Sequence, residues 1–179
     1  MTLQTYKDAL DRMASELRRL YASKATSDLA ALRRLDPDHP STPALHRLIA
    51  RTVDPHLVGN IDMMQRWARA AHLMALRPDG LRAEGLGEVL VAIGLSEARL
   101  AALLNAHGTT LRDLVSRTAR RIAVSDEPLP YRSLCRLLLL DDRPEHDEAA
   151  EEERIRIAGN YARAAHARAE SADTSTEDV

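Results

Sequence analysis

The stretch "TLRDLVSRTARRIA", residues 110–123, decides the fold class. At about 100° per residue, Leu111, Leu114, Val115, Thr118 and Ile122 fall in one sector. Arg112, Arg117, Arg120 and Arg121 spread over the opposite half, with Asp113 the one carboxylate among them. This spacing predicts a helix with one side seated in a core and a cationic side facing water. Thr110 and Asp113 stand at capping-box spacing and predict where it starts.

The same periodicity extends in both directions. On the C-terminal side, residues 126–130 read as a proline-containing linker and residues 131–140, leucine-rich around Cys135, as a buried helix. An acidic run over 145–153 leads into a last helix facing inward through Ile155, Ala158, Tyr161, Ala162 and Ala165. The composition of 170–179 cannot repay the entropy of ordering and predicts a disordered tail.

On the N-terminal side, Ser96 is placed to cap a helix and Gly108 to close it in the left-handed region. Gly94 stops a shorter helix carrying Leu86, Val89, Leu90 and Ile93, and Arg77-Pro78-Asp79-Gly80 is a turn. Residues 57–76 turn Ile61, Met64, Trp67, Ala68, Ala71 and Met74 inward and Gln65, Arg66, Arg69 and His72 outward. Thr42-Pro43 opens a helix with Leu45, Leu48 and Ile49, by an N-cap oxygen and a first-turn proline. The prolines at 37 and 40 end the helix before it, which Ser27 caps and which carries Leu29, Leu32 and Leu35. The first helix is a stripe of Leu3, Tyr6, Leu10, Met13, Leu17, Leu20 and Tyr21.

No period-two strand stands out, so the expectation is an all-α bundle. It comprises one helical domain over 1–169, divisible into lobes 1–78 and 79–169, and a tail over 170–179. Composition agrees. The chain of 179 residues has no Phe, one Trp and four Tyr, leaving core volume to Leu, Ala, Ile, Val and Met, which suit helices. Cys135 is the only cysteine, which excludes an internal disulfide and a thiolate metal site. No segment reaches the roughly 20 apolar residues of a membrane span, so a cytoplasmic protein with no membrane association is expected.

The net charge of −2 hides an asymmetry: 20 cationic residues against 15 acidic ones through Leu140, then 5 against 12. Lys7 and Lys24 are the only lysines, leaving 23 arginines. Guanidinium groups pair bidentately with phosphate and stack on bases, so arginine faces suit a nucleic-acid backbone without reading its sequence. The candidate set is Arg112, Arg117, Arg120 and Arg121, then Arg33, Arg34, Arg47, Arg51, Arg66 and Arg69. A solvated, salt-bridged helical surface is the competing account of the same residues.

Catalytic signatures are missing. The seven histidines contain no H-E-x-x-H pair, the glycines form no phosphate loop, and no serine stands in a G-x-S-x-G setting. Asp141-Asp142 and Glu151 to Glu153 lie in a block of like charge. No enzyme, cofactor or metal is therefore expected.

In order, several segments resemble the CasB family, the small subunit of the type I-E CRISPR Cascade surveillance complex. They are "SDLAALRRLDPDHPSTPALHRLI" at 27–49, a helix with Arg66-Trp67, "GLRAEGLGEVLVAIGLSEARLAALLNA" at 80–106, "LRDLVSRTARRI" at 111–122 and "PLPYRSLCRLLLL" at 128–140. His46 stands where the family commonly has an aromatic residue, and Leu140-Asp141-Asp142-Arg143 replaces a stretch often rich in tryptophan. The resemblance implies an all-helical, non-catalytic subunit present as a pair in a crRNA-guided complex. Such a subunit contacts the repeated backbone subunits and the large subunit, and helps hold the target and displaced DNA strands of an R-loop open. The competing expectation from residues alone is a helical protein-interaction adaptor without nucleic-acid binding.

Overall fold

The three- and four-residue apolar spacing of the N-terminal segment becomes helix α1 (Leu3–Ala22), which buries Tyr6, Ala9, Leu10, Met13, Ala14, Leu17 and Leu20. The computed structural model describes residues 3–174; the last five, part of the expected disordered tail, lie outside the described residues. Eight more helices follow: α2 (Thr26–Arg33), α3 (Pro43–Thr52), α4 (Ile61–Ala75), α5 (Leu86–Ala92), α6 (Glu97–Leu104), α7 (Gly108–Ala123), α8 (Tyr131–Leu140) and α9 (Asp147–Thr174). Helix makes up 76% of the molecule, and the all-α expectation holds.

Among the described residues, strand is confined to a two-residue parallel pairing of β1 (Leu81–Arg82) with β2 (Leu129–Pro130). Neither is long enough to show a period-two pattern in the sequence. The pairing ties the turn after α4 to the linker before α8.

One hydrophobic cluster runs from Tyr6 to Tyr161 through every α-helix. Without phenylalanine, its centre is Trp67 of α4, whose indole N–H donates to the Leu57 carbonyl at 3.0 Å and whose ring stacks on Tyr6 at 6.1 Å. Tyr6 also takes His146 edge-on at 5.5 Å. α8 lies against α1, α4, α7 and α9, which explains why eight of its ten residues are buried. Cys135 among them is fully buried, and burial pushes its thiol pKa up.

α5 ends as expected. Gly94 is left-handed at φ 67°, and the Leu95 and Gly94 amides donate to the carbonyls of Leu90 (2.9 Å) and Val91 (3.0 Å), a Schellman closure. Other boundaries differ. α2 is preceded by Ala25 rather than capped by Ser27, and α4 starts at Ile61, after a 3-10 turn over Pro55–Leu57, because the Asn60 side chain accepts from the Met63 amide. Ile61 itself is 66% exposed, outside the core face expected of it.

The last helix departs most. Its inward face carries Glu153, Arg154, Ile157 and Tyr161, whereas Ile155 is exposed, as is Ala162. The acidic run is the first part of this helix, and α9 continues past residue 169 to Thr174, where the polar composition had predicted disorder. Glu153 explains the altered register: its buried carboxylate meets Arg156 at 2.5 Å and Arg136 of α8 at 3.4 Å.

Candidate nucleic-acid interface

Helix α7 is fixed at its N-terminus by a residue distant in sequence. Its cap position is His107, not Thr110, and Gly108 opens this helix at φ 55° instead of closing α6. The reason is Asp141, after α8: its buried carboxylate accepts from the Gly108 amide at 2.8 Å and pairs with His107 Nδ1 at 2.9 Å. A carboxylate there satisfies an orphan amide and complements the helix dipole. Arg154 of α9 approaches the same carboxylate at 3.3 Å.

From that anchor, Leu111, Val115, Ala119 and Ile122 are fully buried and Thr118 nearly so. Leu114 departs from the expected dry face and lines a groove beside the helix. The opposite side presents the arginines, and their environments separate them.

Arg117 and Arg120 are exposed and make no hydrogen bond or ion pair with a described residue. Arg112 is half-buried, with Asp62 at 3.8 Å. Arg121 caps α5, donating to the carbonyls of Ile93 (2.6 Å) and Gly94 (3.4 Å).

Most of the remaining arginines are engaged within the protein. Arg66 was expected on an outer face and is instead buried. Its Nη1 donates to the carbonyls of Leu138 (2.9 Å) and Asp141 (2.7 Å), and its Nε to Asp62 (2.7 Å). These carbonyls belong to the C-terminal end of α8, where the helix has no donors of its own, so Arg66 is a structural group. Arg69 is also largely buried: Nη2 pairs with Asp38 on the proline turn, and Nη1 has no partner. Burial, with Arg112 nearby, lowers the Arg69 pKa, which Asp38 only partly offsets.

Arg33 donates to the Ala75 carbonyl at 2.7 Å, joining α2 to α4. Arg47 pairs with Asp28 at 2.6 Å and Arg51 with Glu16 at 2.7 Å. Arg34 is exposed and donates to Ala30 in its own helix. The crowd of arginines around the first proline turn is thus mostly an internal lattice of pairs, and the open cations of the candidate set concentrate on α7.

Two concavities flank α7. One, about 260 Å³, lies between the proline turn, α4 and α7 and gathers Arg69, His72, Arg112 and Arg120. The other, about 370 Å³, lies between α6 and α7, with Arg99, Arg117 and Arg121 around Leu95, Leu103 and Leu114. Arg99 makes no hydrogen bond or ion pair with a described residue and was missed in the sequence, since a single arginine on a short helix forms no cationic face by itself. The folded arrangement brings it to the α7 arginines.

A cluster of His107, Asp141 and Asp142 offers three donor atoms within 4.8 Å of one another. Asp141 has its oxygens committed to Gly108, His107 and Arg154, so the cluster reads as a helix anchor in which a guanidinium already supplies positive charge. Sequence spacing did not reveal this grouping, because His107 lies far from the aspartates along the chain. Among the described residues no helix is long and apolar enough to cross a membrane. Comparison with protein-family models, curated proteins and solved structures finds no match.

Proposed function

We propose that this chain is a non-catalytic, sequence-blind holder of nucleic-acid backbones, and specifically a small subunit of a type I-E Cascade complex. The carrying observation is the solvent side of α7, where Arg117 and Arg120, without a partner among the described residues, line two concavities rimmed by further arginines. Phosphate contacts form most readily at accessible cations that no carboxylate already engages, and among the described residues neither Arg117 nor Arg120 has such a partner. The ordered sequence resemblance supports the assignment to Cascade.

In this reading Arg112, Arg117, Arg120 and Arg121, joined by Arg99, face the strands. Arg34, Arg47 and Arg51 form a peripheral set, Arg33 and Arg66 shape the surface from within, and Arg69 lines the cleft beside α7. Exchange of a DNA duplex for an RNA–DNA heteroduplex is nearly balanced in energy, so a few backbone contacts to a separated strand can tip it. Partners are the repeated backbone subunits, the large subunit, a second copy of the chain, and the target and displaced strands, in the cytoplasm.

The test is affinity purification of the tagged chain coexpressed with its neighbouring genes. Retention of crRNA and partner proteins supports the reading; recovery of the chain alone sinks it. Charge reversal at Arg117, Arg120 and Arg121 should shorten R-loop lifetime, and an unchanged lifetime excludes this face. A second reading, a protein-docking adaptor, is favoured by an open apolar groove beside Ile61, Met64 and Val58. A stable protein partner without DNA binding at low salt would select it.

A further inference from the structure

We infer that the cleft between the proline turn, α4 and α7 is a clamp for a single phosphate group, and that Asp38 is an internal anion holding its place. This rests on the reading of α7 as a backbone-binding surface and adds to it a defined subsite with a built-in competitor.

Three guanidiniums from two helices line the cleft: Arg69 from α4, Arg112 and Arg120 from α7. Their proximity has electrostatic consequences. Arg112 helps lower the pKa of Arg69, and Arg120, after burial, helps lower that of His72. A convergence of like charges destabilises itself unless an anion is shared between them.

The protein supplies that anion incompletely. Asp38 pairs through one carboxylate oxygen with Arg69 Nη2, but its own side chain is 65% exposed. Arg69 meanwhile is 10% exposed and its Nη1 has no hydrogen-bond partner. A buried unpaired guanidinium nitrogen costs free energy that a better-placed acceptor would recover. Asp113 is the other carboxylate at the rim, and Asp62, 3.8 Å from Arg112, is shared with Arg66, so no described carboxylate neutralises the three guanidiniums of the cleft together. Thr109 also lines the cleft with its hydroxyl, and the volume of about 260 Å³ admits a phosphate group with associated water.

Asp38 is free to give way. It belongs to the turn at residues 36–40, whose shape is kept by contacts that do not use the Asp38 carboxylate. The Asp38 amide donates to Asp36, Gln65 donates to the Asp38 carbonyl at 2.9 Å, and His39 pairs with Asp36 at 2.8 Å. An incoming phosphate can therefore displace the carboxylate from Arg69 while the turn stays in place. Inorganic phosphate offers more charge and more acceptor oxygens than a carboxylate, and a backbone phosphodiester, with the same single charge, spreads its oxygens tetrahedrally so that three donors can share them.

The test uses the full chain, following arginine Nε–H signals by NMR during titration with inorganic phosphate and, separately, with a 12-nucleotide single-stranded DNA. Phosphate should produce saturable shifts centred on Arg69, Arg112 and Arg120. Asp38→Asn should tighten phosphate binding by roughly five-fold or more, the low end of ordinary coupling between competing sites. Arg120→Gln, at an exposed position, should weaken it. The thermal midpoint of Asp38→Asn should also rise more with phosphate than that of the unaltered protein. Non-saturating shifts, or affinity that Asp38→Asn leaves unchanged or lowers, overturn the clamp. The arms separate the two ideas: phosphate binding without DNA binding retains the clamp and removes the backbone reading. DNA binding without saturable phosphate binding removes the clamp and leaves the α7 face.

Discussion

Gly87 of α5 lies so close to α9 that a β-carbon added to it would stand 2.4 Å from the backbone nitrogen of Tyr161 and 2.6 Å from Cβ of Asn160. The obstacle is backbone, which cannot swing aside as a side chain can. Gly87→Ala should therefore destabilise the fold by about 1–3 kcal/mol through overpacking, despite alanine's higher helix propensity. Urea denaturation followed by circular dichroism checks this; a neutral or stabilised variant would show that α5 and α9 can separate without cost.

Arg66 and Arg117 should respond oppositely to the same substitution. Arg66→Ala leaves the Leu138 and Asp141 carbonyls without their donor, and should cost on the order of 3 kcal/mol. Arg117→Ala removes an exposed group with no described partner and should lie within about 0.5 kcal/mol of the unaltered protein. Chemical denaturation measures both; near-equal values would show that the α8 carbonyls do not depend on Arg66 for a donor.

Salt dependence offers a check on the α7 face. If Arg117 and Arg120 each contact a phosphate, replacing one by Gln should reduce the slope of log K against log salt for single-stranded DNA by about 0.7. Replacing Arg47, already paired with Asp28, should change it less. Fluorescence anisotropy at several salt concentrations distinguishes the two, and equal slopes for all three would place binding elsewhere.

Acid should act in two separate windows. Burial, with Arg143 nearby, holds His146 below its ordinary pKa of 6.5, so the unfolded chain takes up that proton more readily. Stability from neutral His146 is complete above 6.5 and declines as pH falls from there toward the lower folded value. Glu16 behaves differently: the hydrogen bond from Arg19, opposed by burial and reinforced by Arg51, lowers its pKa from 4.5 to about 2. Its contribution persists above 4.5 and is lost as pH falls through about 2. Urea midpoints from pH 8 to 5 should therefore fall less steeply in His146→Gln, whereas Glu16→Gln should lie below the unaltered protein by a constant amount over that range, a gap that closes as pH falls from 4.5 through about 2.

The elements legible from the sequence are those whose signal is local. The α7 periodicity, the Gly94 closure and the proline start of α3 each depend on residues within a few positions, and the structure places them accordingly. Failures arise where a distant residue intervenes. Asp141 moves the start of α7 from Thr110 to Gly108, and Glu153 draws α9 into a register that exposes Ile155. The outward face expected of α4 fails for the same reason: helical periodicity places Arg66 and Arg69 opposite the apolar stripe but cannot reveal that α8 and the proline turn cover them. Arginine is unusually prone to this error, because its long stem and five donors let it serve carbonyls inside a fold as readily as phosphates outside it.

The solitary thiol at position 135 makes the protein its own clock. Because that sulfur is sealed within α8, a thiol reagent can reach it only through an opening of the helices around it. Its labelling rate therefore times that opening without any added probe. A cysteine introduced on the exposed side of α7 would react far sooner, so dyes can be attached there selectively, leaving the native sulfur to report whether the attachment has loosened the core.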